Sequence, residues 1–167
     1  MAQTFRVGLG TDLHRLVEPG PLILGNIAIP FEKHALGHSD ADALIHAMID
    51  AILGASGGGD IGQLFPDTDE ANRGRDSGEM LSIVWGRVRA QGWALGNVDC
   101  VVHLQRPKLA PYIPRMVERL SELMAVPPET ISIKAKTGEG IGLVGREEAV
   151  AAECVVLLVR ETDSSCQ

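Results

Sequence analysis

Apolar and polar positions divide the chain into alternating strand-like and helix-like segments. From Phe5 to Asp12 the apolar residues Phe5, Val7 and Leu9 fall at every second position around Gly8 and Gly10, which predicts a strand with room for close backbone approach. Asp12 and His14, two apart at its end, would point to one side, because strand side chains alternate between faces. Leu22 to Ile29 is a pair of short apolar runs about Gly25-Asn26, a two-residue hairpin signal, and Pro30 ends it. Lys33 to Ser39 reads as a loop holding His34 and His38. From about Asp40 the period becomes helical: Leu44, Ile45, Ala47, Met48, Ile49, Ile52 and Leu53 make an apolar side, while Asp42, His46 and Asp50 at i, i+4 and i+8 make an acidic one. Ser39 is the expected N-cap and Gly57-Gly58-Gly59 the stop.

Asp60 to Asp69 is rich in turn formers and acids, with Leu64 and Phe65 as apolar pins; a folded functional loop and a plain surface turn both suit it. Asp76-Ser77-Gly78-Glu79 has the form of a capping box opening a helix through Met80, Leu81, Val84 and Val88, closed by Gly92. Leu95 to Gln105 predicts a strand with Val98, Cys100, Val102 and Leu104 on one side and His103, read as structural, on the other. Lys108 to Ala125 predicts a helix ended by Pro127-Pro128, and Ile131 to Ala135 a strand. Lys136 to Arg146 is a glycine-rich loop. Ala149 to Val159 predicts a last apolar strand, buried on both faces or covered by another subunit, and Glu161 to Gln167 a disordered tail.

This order gives an α+β fold, a mixed β-sheet with helices on one face, formed by a single domain over residues 1–160. The 167 residues suit one core, and the other sheet face would need a partner, most simply further copies of the chain. A net charge of -7 argues against a broad nucleic-acid surface, so any anionic ligand must be met by local devices. Cys100, Cys154 and Cys166 are an odd number without metal-type spacing, which points to a reducing cytoplasm. Met1 to Val7 lacks the apolar run of a signal peptide, and no stretch approaches the ~20 apolar residues of a membrane span, so no membrane association is expected.

The chemistry concentrates where strand and helix meet. Asp12, His14 and His46 offer a carboxylate and two imidazoles, a donor set suited to a borderline divalent ion such as zinc with a fourth position open to substrate. A hydrogen-bonded core histidine fits the same spacing, and the residues alone leave both readings standing.

Ser39-Asp40-Ala41-Asp42-Ala43-Leu44-Ile45-His46-Ala47, with Asp12-Leu13-His14, Asp60-Ile61-Gly62, Phe65-Pro66-Asp67-Thr68-Asp69, Gly96-Asn97-Val98-Asp99, Pro107-Lys108 and Thr137-Gly138-Glu139, resembles the 2-C-methyl-D-erythritol 2,4-cyclodiphosphate synthase family in one register from about Phe5 to Arg160. The resemblance implies a bacterial chorismate mutase-like fold, and a homotrimer with sheets facing the trimer core and active sites between subunits. It implies a lyase of the non-mevalonate isoprenoid pathway, which converts 4-diphosphocytidyl-2-C-methyl-D-erythritol 2-phosphate to the 2,4-cyclodiphosphate with release of CMP.

By the same resemblance Asp12, His14 and His46 hold zinc, one per active site, and Glu139 helps bind a second divalent cation, Mg2+ or Mn2+. His38 and Thr137 match the transition-state contacts. Ser39, Asp60, Ile61 and Gly62 would hold the methylerythritol part, walled by Leu64, Phe65, Pro66, Asp67, Thr68 and Asp69. Leu104, Gln105, Arg106, Pro107, Lys108, Leu109 and Ala110 match the nucleotide pocket, where Arg106 and Lys108 are phosphate candidates or a solvated basic pair. Lys136 and Gly138 flank Thr137, with Lys136 standing where many members carry threonine. Leu143 and Arg146 match a cavity near the trimer axis; Leu143 replaces a common aromatic, and Glu147 and Ala149 replace glycines. A metal-dependent phosphohydrolase giving a linear product, and a trimeric binding module without turnover, are the competing functions.

Overall fold

A computed structural model describes residues 2–162, with the backbone alone for residues 2, 161 and 162. Its largest element pair is an antiparallel ribbon of β1 (Ala2–Val17) and β7 (Ala149–Thr162), paired from Ala2↔Thr162 to Arg15↔Ala149. β4 (His34–Leu36) adds to the outer edge of β1, while β5 (Ala94–His103) joins β7 antiparallel and β6 (Ile131–Lys136) joins β5 parallel. The sheet order is β4-β1-β7-β5-β6, a mixed sheet as expected. Between β1 and β4, β2 (Leu22–Leu24) and β3 (Ile27–Ile29) form the expected hairpin, whose Gly25 and Asn26 have φ of 61° and 57°, the two positive values that a type I′ turn requires.

Helix α1 (Ala43–Ser56) lies on β1 and β7, α3 (Ser77–Ala90) lies on α1, and α4 (Ile113–Met124) packs beside α3 and β6. Two single-turn helices, α2 (Ile61–Leu64) and α5 (Gly142–Gly145), sit within the loops expected to be functional. The core is the layer between sheet and helices. It contains Val150, Ala152, Cys154, Val156 and Leu158 from β7, Val98, Cys100 and Val102 from β5, and the apolar side of α1.

The opposite sheet face is bare. Phe5, Val7, Leu9 and Leu13 are 57%, 67%, 65% and 55% exposed, and Val155 joins them from β7. Within one chain β7 is therefore covered on one side only, so of the two expectations for this strand, burial on both faces does not hold.

Other boundaries move for identifiable reasons. β1 continues five residues past Asp12 because β7 pairs with it as far as Arg15 and β4 from Arg15 to Val17, and β7 continues to Thr162 because β1 pairs with it back to Ala2. Glu161 and Thr162 are thus strand; the rest of the expected tail, residues 163–167, lies outside the described residues. His34–Leu36 is a strand because it pairs with Arg15 to Val17. α1 starts at Ala43, capped by Asp42 rather than Ser39, since Ala41 has a non-helical φ of 55°. α4 begins at Ile113, after a turn in which Tyr112 N–H bonds Leu109 C=O, because Pro107 and Pro111 lack the N–H groups that an earlier start needs. No helix among the described residues is long and apolar enough to cross a membrane.

Candidate metal centre and substrate cavity

Backbone contact between β1 and α1 builds the centre. Gly8 and Gly10 face the helix so closely that a Cβ at Gly10 would stand 1.9 Å from the Ala47 carbonyl oxygen, and one at Gly8 equally close to that of Ala51. The next residues on that side of the strand, Asp12 and His14, therefore meet His46 of α1. His14 Nε2 lies 2.9 Å from Asp12 Oδ2, His46 Nδ1 lies 3.1 Å from the same oxygen, and the two nitrogens are 3.2 Å apart. All three belong to the metal-competent cluster found among the described residues.

This triangle fits a tetrahedral ion. Zinc ligands at about 2.0–2.1 Å in tetrahedral array stand roughly 3.3 Å from one another, close to the three edges observed. His14 Nδ1 lies 2.9 Å from the Leu36 carbonyl, which can only accept, so Nδ1 carries the proton and Nε2 turns its lone pair to the centre. Burial alone would raise the Asp12 pKa, but hydrogen bonds from His14 and His46 outweigh it and hold the carboxyl well below the usual carboxylate range. Burial would lower His14, and the hydrogen bond and charge of Asp12 overcome that to raise it above 6.5.

The acidic helix face expected from Asp42, His46 and Asp50 does not form. Asp42 is fully buried as the N-cap of α1, accepting from Ile45 N–H and from Gly25 and Asn26 N–H of the hairpin turn at 3.1, 3.0 and 2.7 Å. Asp50 accepts from Ile61 N–H at 2.8 Å and so ties α2 to α1; burial pushes its carboxyl up, helped by the charges of Asp60 and Asp12. His46 is instead bounded by Asp12 on one side and by the hydroxyls of Ser39 and Ser77 on the other.

A cavity of about 260 Å3 opens over the triad, lined also by His38, Ser39, Ile61, Gly62, Phe65 and Asp67. His38 Nε2 is buried there and finds no hydrogen-bond partner among the described residues. Asp60 sits just outside, spending both carboxylate oxygens on Gln63, and Asp69 caps the 3-10 turn Glu70–Asn72. Leu64, Pro66 and Thr68 belong to the same stretch without lining the cavity. Sequence reasoning missed Gly37, Asn72 and Met80, which complete the lining, and Ser77, which supports His46. Ser77 had only the signal of a helix start.

A second group of expected residues gathers elsewhere. Gln105 Oε1 accepts from Gly138 N–H at 3.2 Å, Leu104 N–H donates to Lys136 C=O at 2.9 Å, and Thr137 Oγ1 donates to Glu139 at 2.8 Å. Leu104 and Leu109 are buried, while Lys108, Ala110 and Glu139 are exposed. Arg106 is held by Glu147 at 2.6 and 2.7 Å and by Glu32 at 2.7 Å, so its charge is already matched. Leu143 and Arg146 line a second hollow, of about 380 Å3, with Leu13, Arg15, Lys33 and Glu148. One rung of the sheet runs Leu13↔Ala151, Ala151↔His103, His103↔Lys136, so the Thr137 loop lies three strand spacings, about 14 Å, from the triad's strand. The two clusters share an end of the sheet, but none of residues 104–110 or 136–139 lines the cavity over the triad.

The family model described as the YgbB family matches residues 5–159. The 2-C-methyl-D-erythritol 2,4-cyclodiphosphate synthase of Bacillus cereus is 51% identical over 157 residues, covering 94% of this chain and 99% of that protein. A solved 2C-methyl-D-erythritol-2,4-cyclodiphosphate synthase in its CDP-bound form superposes with a TM-score of 0.84 at 45% identity over 92% of this chain and 99% of its own. The bifunctional IspDF of Campylobacter jejuni gives a TM-score of 0.92 at 36% identity over 96% of this chain, which spans 43% of that longer protein. With that breadth of match and the same fold, the chain belongs to the YgbB family, the family of the 2-C-methyl-D-erythritol 2,4-cyclodiphosphate synthases.

Proposed function

We propose that this protein converts 4-diphosphocytidyl-2-C-methyl-D-erythritol 2-phosphate to 2-C-methyl-D-erythritol 2,4-cyclodiphosphate and CMP, a step of the non-mevalonate isoprenoid pathway. The observation that carries this is the convergence of Asp12, His14 and His46 on one point under the cavity that His38 and Ser39 line. The 2-phosphate oxygen forms a new bond to the β-phosphorus, the bond between that phosphorus and the bridging oxygen breaks, and CMP departs with the electron pair. A phosphate monoester has its second pKa at about 6 and is already a nucleophile near neutrality, so no strong general base is needed. The barrier is the approach of two anions, which calls for fixed positive charge and aligned donors.

Zinc on Asp12, His14 and His46, and Mg2+ or Mn2+ near Glu139, would supply that charge to the diphosphate oxygens when bound. His38 lines the cavity and its Nε2 has no hydrogen-bond partner among the described residues, which suits the ring to donate to a transferring phosphoryl oxygen. Ser39, Ile61, Gly62 and Asp67 shape the methylerythritol side, with Asp60, Leu64, Phe65, Pro66, Thr68 and Asp69 holding that wall. Residues 104–110 with Lys136, Thr137 and Gly138 form the cytidine side, where Thr137 reaches the diphosphate and Arg106 stiffens the loop through its carboxylate partners. A CDP complex in a relative supports a cytidine nucleotide as ligand.

Because one chain leaves those two sides about 14 Å apart, the complete site forms between copies. A homotrimer of the chorismate mutase-like kind, with the bare faces of β1 and β7 turned inward, covers the exposed apolar residues, and Leu143 and Arg146 then border its axis. Residues 1–160 act as one domain, and the enzyme works in the cytoplasm. Incubation with the substrate, following CMP and resolving the phosphorus product by 31P NMR, should give the cyclic diphosphate and stop with chelator. A linear phosphate product, or turnover unchanged in His46→Ala, would overturn the reading.

A further inference from the structure

His46 is gripped on its outer edge as firmly as on its inner one. Its Nε2 lies 2.9 Å from Oγ of Ser77, a completely buried residue at the start of α3. The Ser77 hydroxyl bonds Oδ1 of Asp40, and the Ser77 N–H donates to Oδ2 of the same carboxylate at 3.0 Å. Asp40 is itself fixed, its N–H donating to Arg75 C=O at 3.1 Å and its Oδ1 accepting from Asp42 N–H at 3.3 Å. The cap of α3 does not need this hydroxyl, because Asp76 already accepts from Gly78 and Glu79 N–H at 2.7 and 3.2 Å.

One arrangement of protons satisfies the group. A carboxylate only accepts, so the Ser77 hydroxyl hydrogen points to Asp40. The Ser77 oxygen then meets His46 with a lone pair, and Nε2 must be the donor. The Ser39 hydroxyl, 3.2 Å from Nε2 and accepting from Ala41 N–H at 3.2 Å, can share that same hydrogen. With Nε2 protonated, the lone pair of the neutral ring sits on Nδ1, the atom aimed at Asp12 and His14.

We propose that Ser77 and Asp40 are positioning residues, a hydrogen-bonded relay that fixes the ring orientation and proton placement of His46 and so sets the affinity of the centre for its ion; this rests on the reading of Asp12, His14 and His46 as metal ligands. Outer partners of ligating histidines typically change metal affinity by about 10–100-fold. Asp40→Asn is the sharp test because it keeps the size of the side chain. Its single carbonyl oxygen takes the Ser77 N–H, its amide donates to the Ser77 oxygen, and the hydroxyl must then turn and donate to His46 Nε2. That moves the ring proton to Nδ1, into the centre.

Zinc affinity by chelator competition should fall about 10–100-fold in Asp40→Asn and in Ser77→Ala. The double variant should be no worse than Ser77→Ala alone, since the groups act in series. Long-range 1H–15N spectra of the zinc-loaded protein, which need no variant, should show His46 protonated at Nε2 and bare at Nδ1. Wild-type affinity in both single variants while His46→Ala loses zinc would overturn the relay alone, whereas a proton found on Nδ1 of the zinc-loaded protein would overturn the relay and the ligand reading together, since Nδ1 is the atom aimed at the centre. Zinc held unchanged by His46→Ala would bring down the ligand reading, and the relay with it.

Discussion

Gly10 on β1 and Ala47 on α1 stand so close that a methyl group on the glycine would overlap the Ala47 carbonyl oxygen, at 1.9 Å. The contact fixes the height of helix over sheet, and with it the 3.1 Å between Asp12 and His46 two residues farther along the strand. The carbonyl belongs to the helix backbone and cannot swing aside as a side chain would.

Gly10→Ala should therefore both destabilise the fold and open the centre. Overpacking against rigid neighbours costs about 1–3 kcal/mol and occasionally more, and this is a backbone clash. Chemical denaturation should show the loss, and zinc titration of the surviving folded protein should show weaker binding. Normal stability with normal zinc binding would mean that the helix height is set elsewhere.

The bare sheet face makes a separate prediction. Leu9 is 65% exposed in one chain, so Leu9→Lys should leave the fold of a single copy intact while placing a cation where copies would meet. Sedimentation should move from trimer to monomer mass, and turnover should vanish although zinc binding persists. Complementation supplies the positive control: inactive His46→Ala and Thr137→Ala subunits, dissociated and remixed in equal amounts, should regain about a quarter of wild-type activity, the share of random interfaces with both halves intact. Failure to regain any activity would argue that both halves are used from one chain.

Much of this architecture was legible because strand and helix periods are local properties. The alternation in β1 and β5, the Gly25-Asn26 turn and the apolar side of α1 can each be read from neighbours in sequence. What escaped was set by residues far apart. His34–Leu36 has no strand pattern of its own and is ordered by Arg15 to Val17. Asp42 falls on the expected helix face by spacing, yet the hairpin N–H groups of Gly25 and Asn26 draw it inside as a cap. Ser77 was visible only as a helix start, since its hydroxyl acquires a role from His46 thirty-one residues earlier. The Asp12, His14 and His46 set was readable because each has a fixed direction once its element is known.

Acid should strip the ion, and His14 sets where. In the metal-free protein its pKa lies above the ordinary 6.5, so as pH falls through that raised value a proton takes the nitrogen that an ion would use. Asp12, held below the usual carboxylate range, does not compete until much more acid conditions. Zinc affinity should therefore fall about tenfold per pH unit below the raised His14 value. Stability of the metal-free protein runs the other way: the His14 contribution is fully present below 6.5 and is lost as pH rises through the folded value. Thermal melts of chelated protein should be highest on the acid side of that window, and a flat zinc affinity from about pH 8 to 5.5 would contradict the assignment of His14 as a ligand.

Arg106 and Glu147 carry the last prediction, because they separate a guanidinium that binds substrate from one that holds a loop. Glu147 occupies a left-handed conformation, φ 58°, which costs a non-glycine residue roughly 1–2 kcal/mol. Its carboxylate grips Arg106 with two bonds, its carbonyl accepts from Lys33 at 2.9 Å, and the Arg106 hydrogen bond lowers its pKa from 4.5. A lowered carboxylate pKa means that the pair's contribution is present above pH 4.5 and is lost as pH falls through the lower folded value, so the clamp is closed at neutral pH. If holding the loop is its task, Arg106→Ala and Glu147→Gln should raise KM for the cytidine substrate by similar, modest factors, below about tenfold, and the double variant should match either single one. Glu147→Gly should show the same KM effect without loss of melting temperature, since relief of the left-handed strain offsets the lost ion pair, itself worth about 0–1 kcal/mol at the surface. A much larger KM for Arg106→Ala than for Glu147→Gln would show instead that the guanidinium leaves its carboxylates to grasp a phosphate.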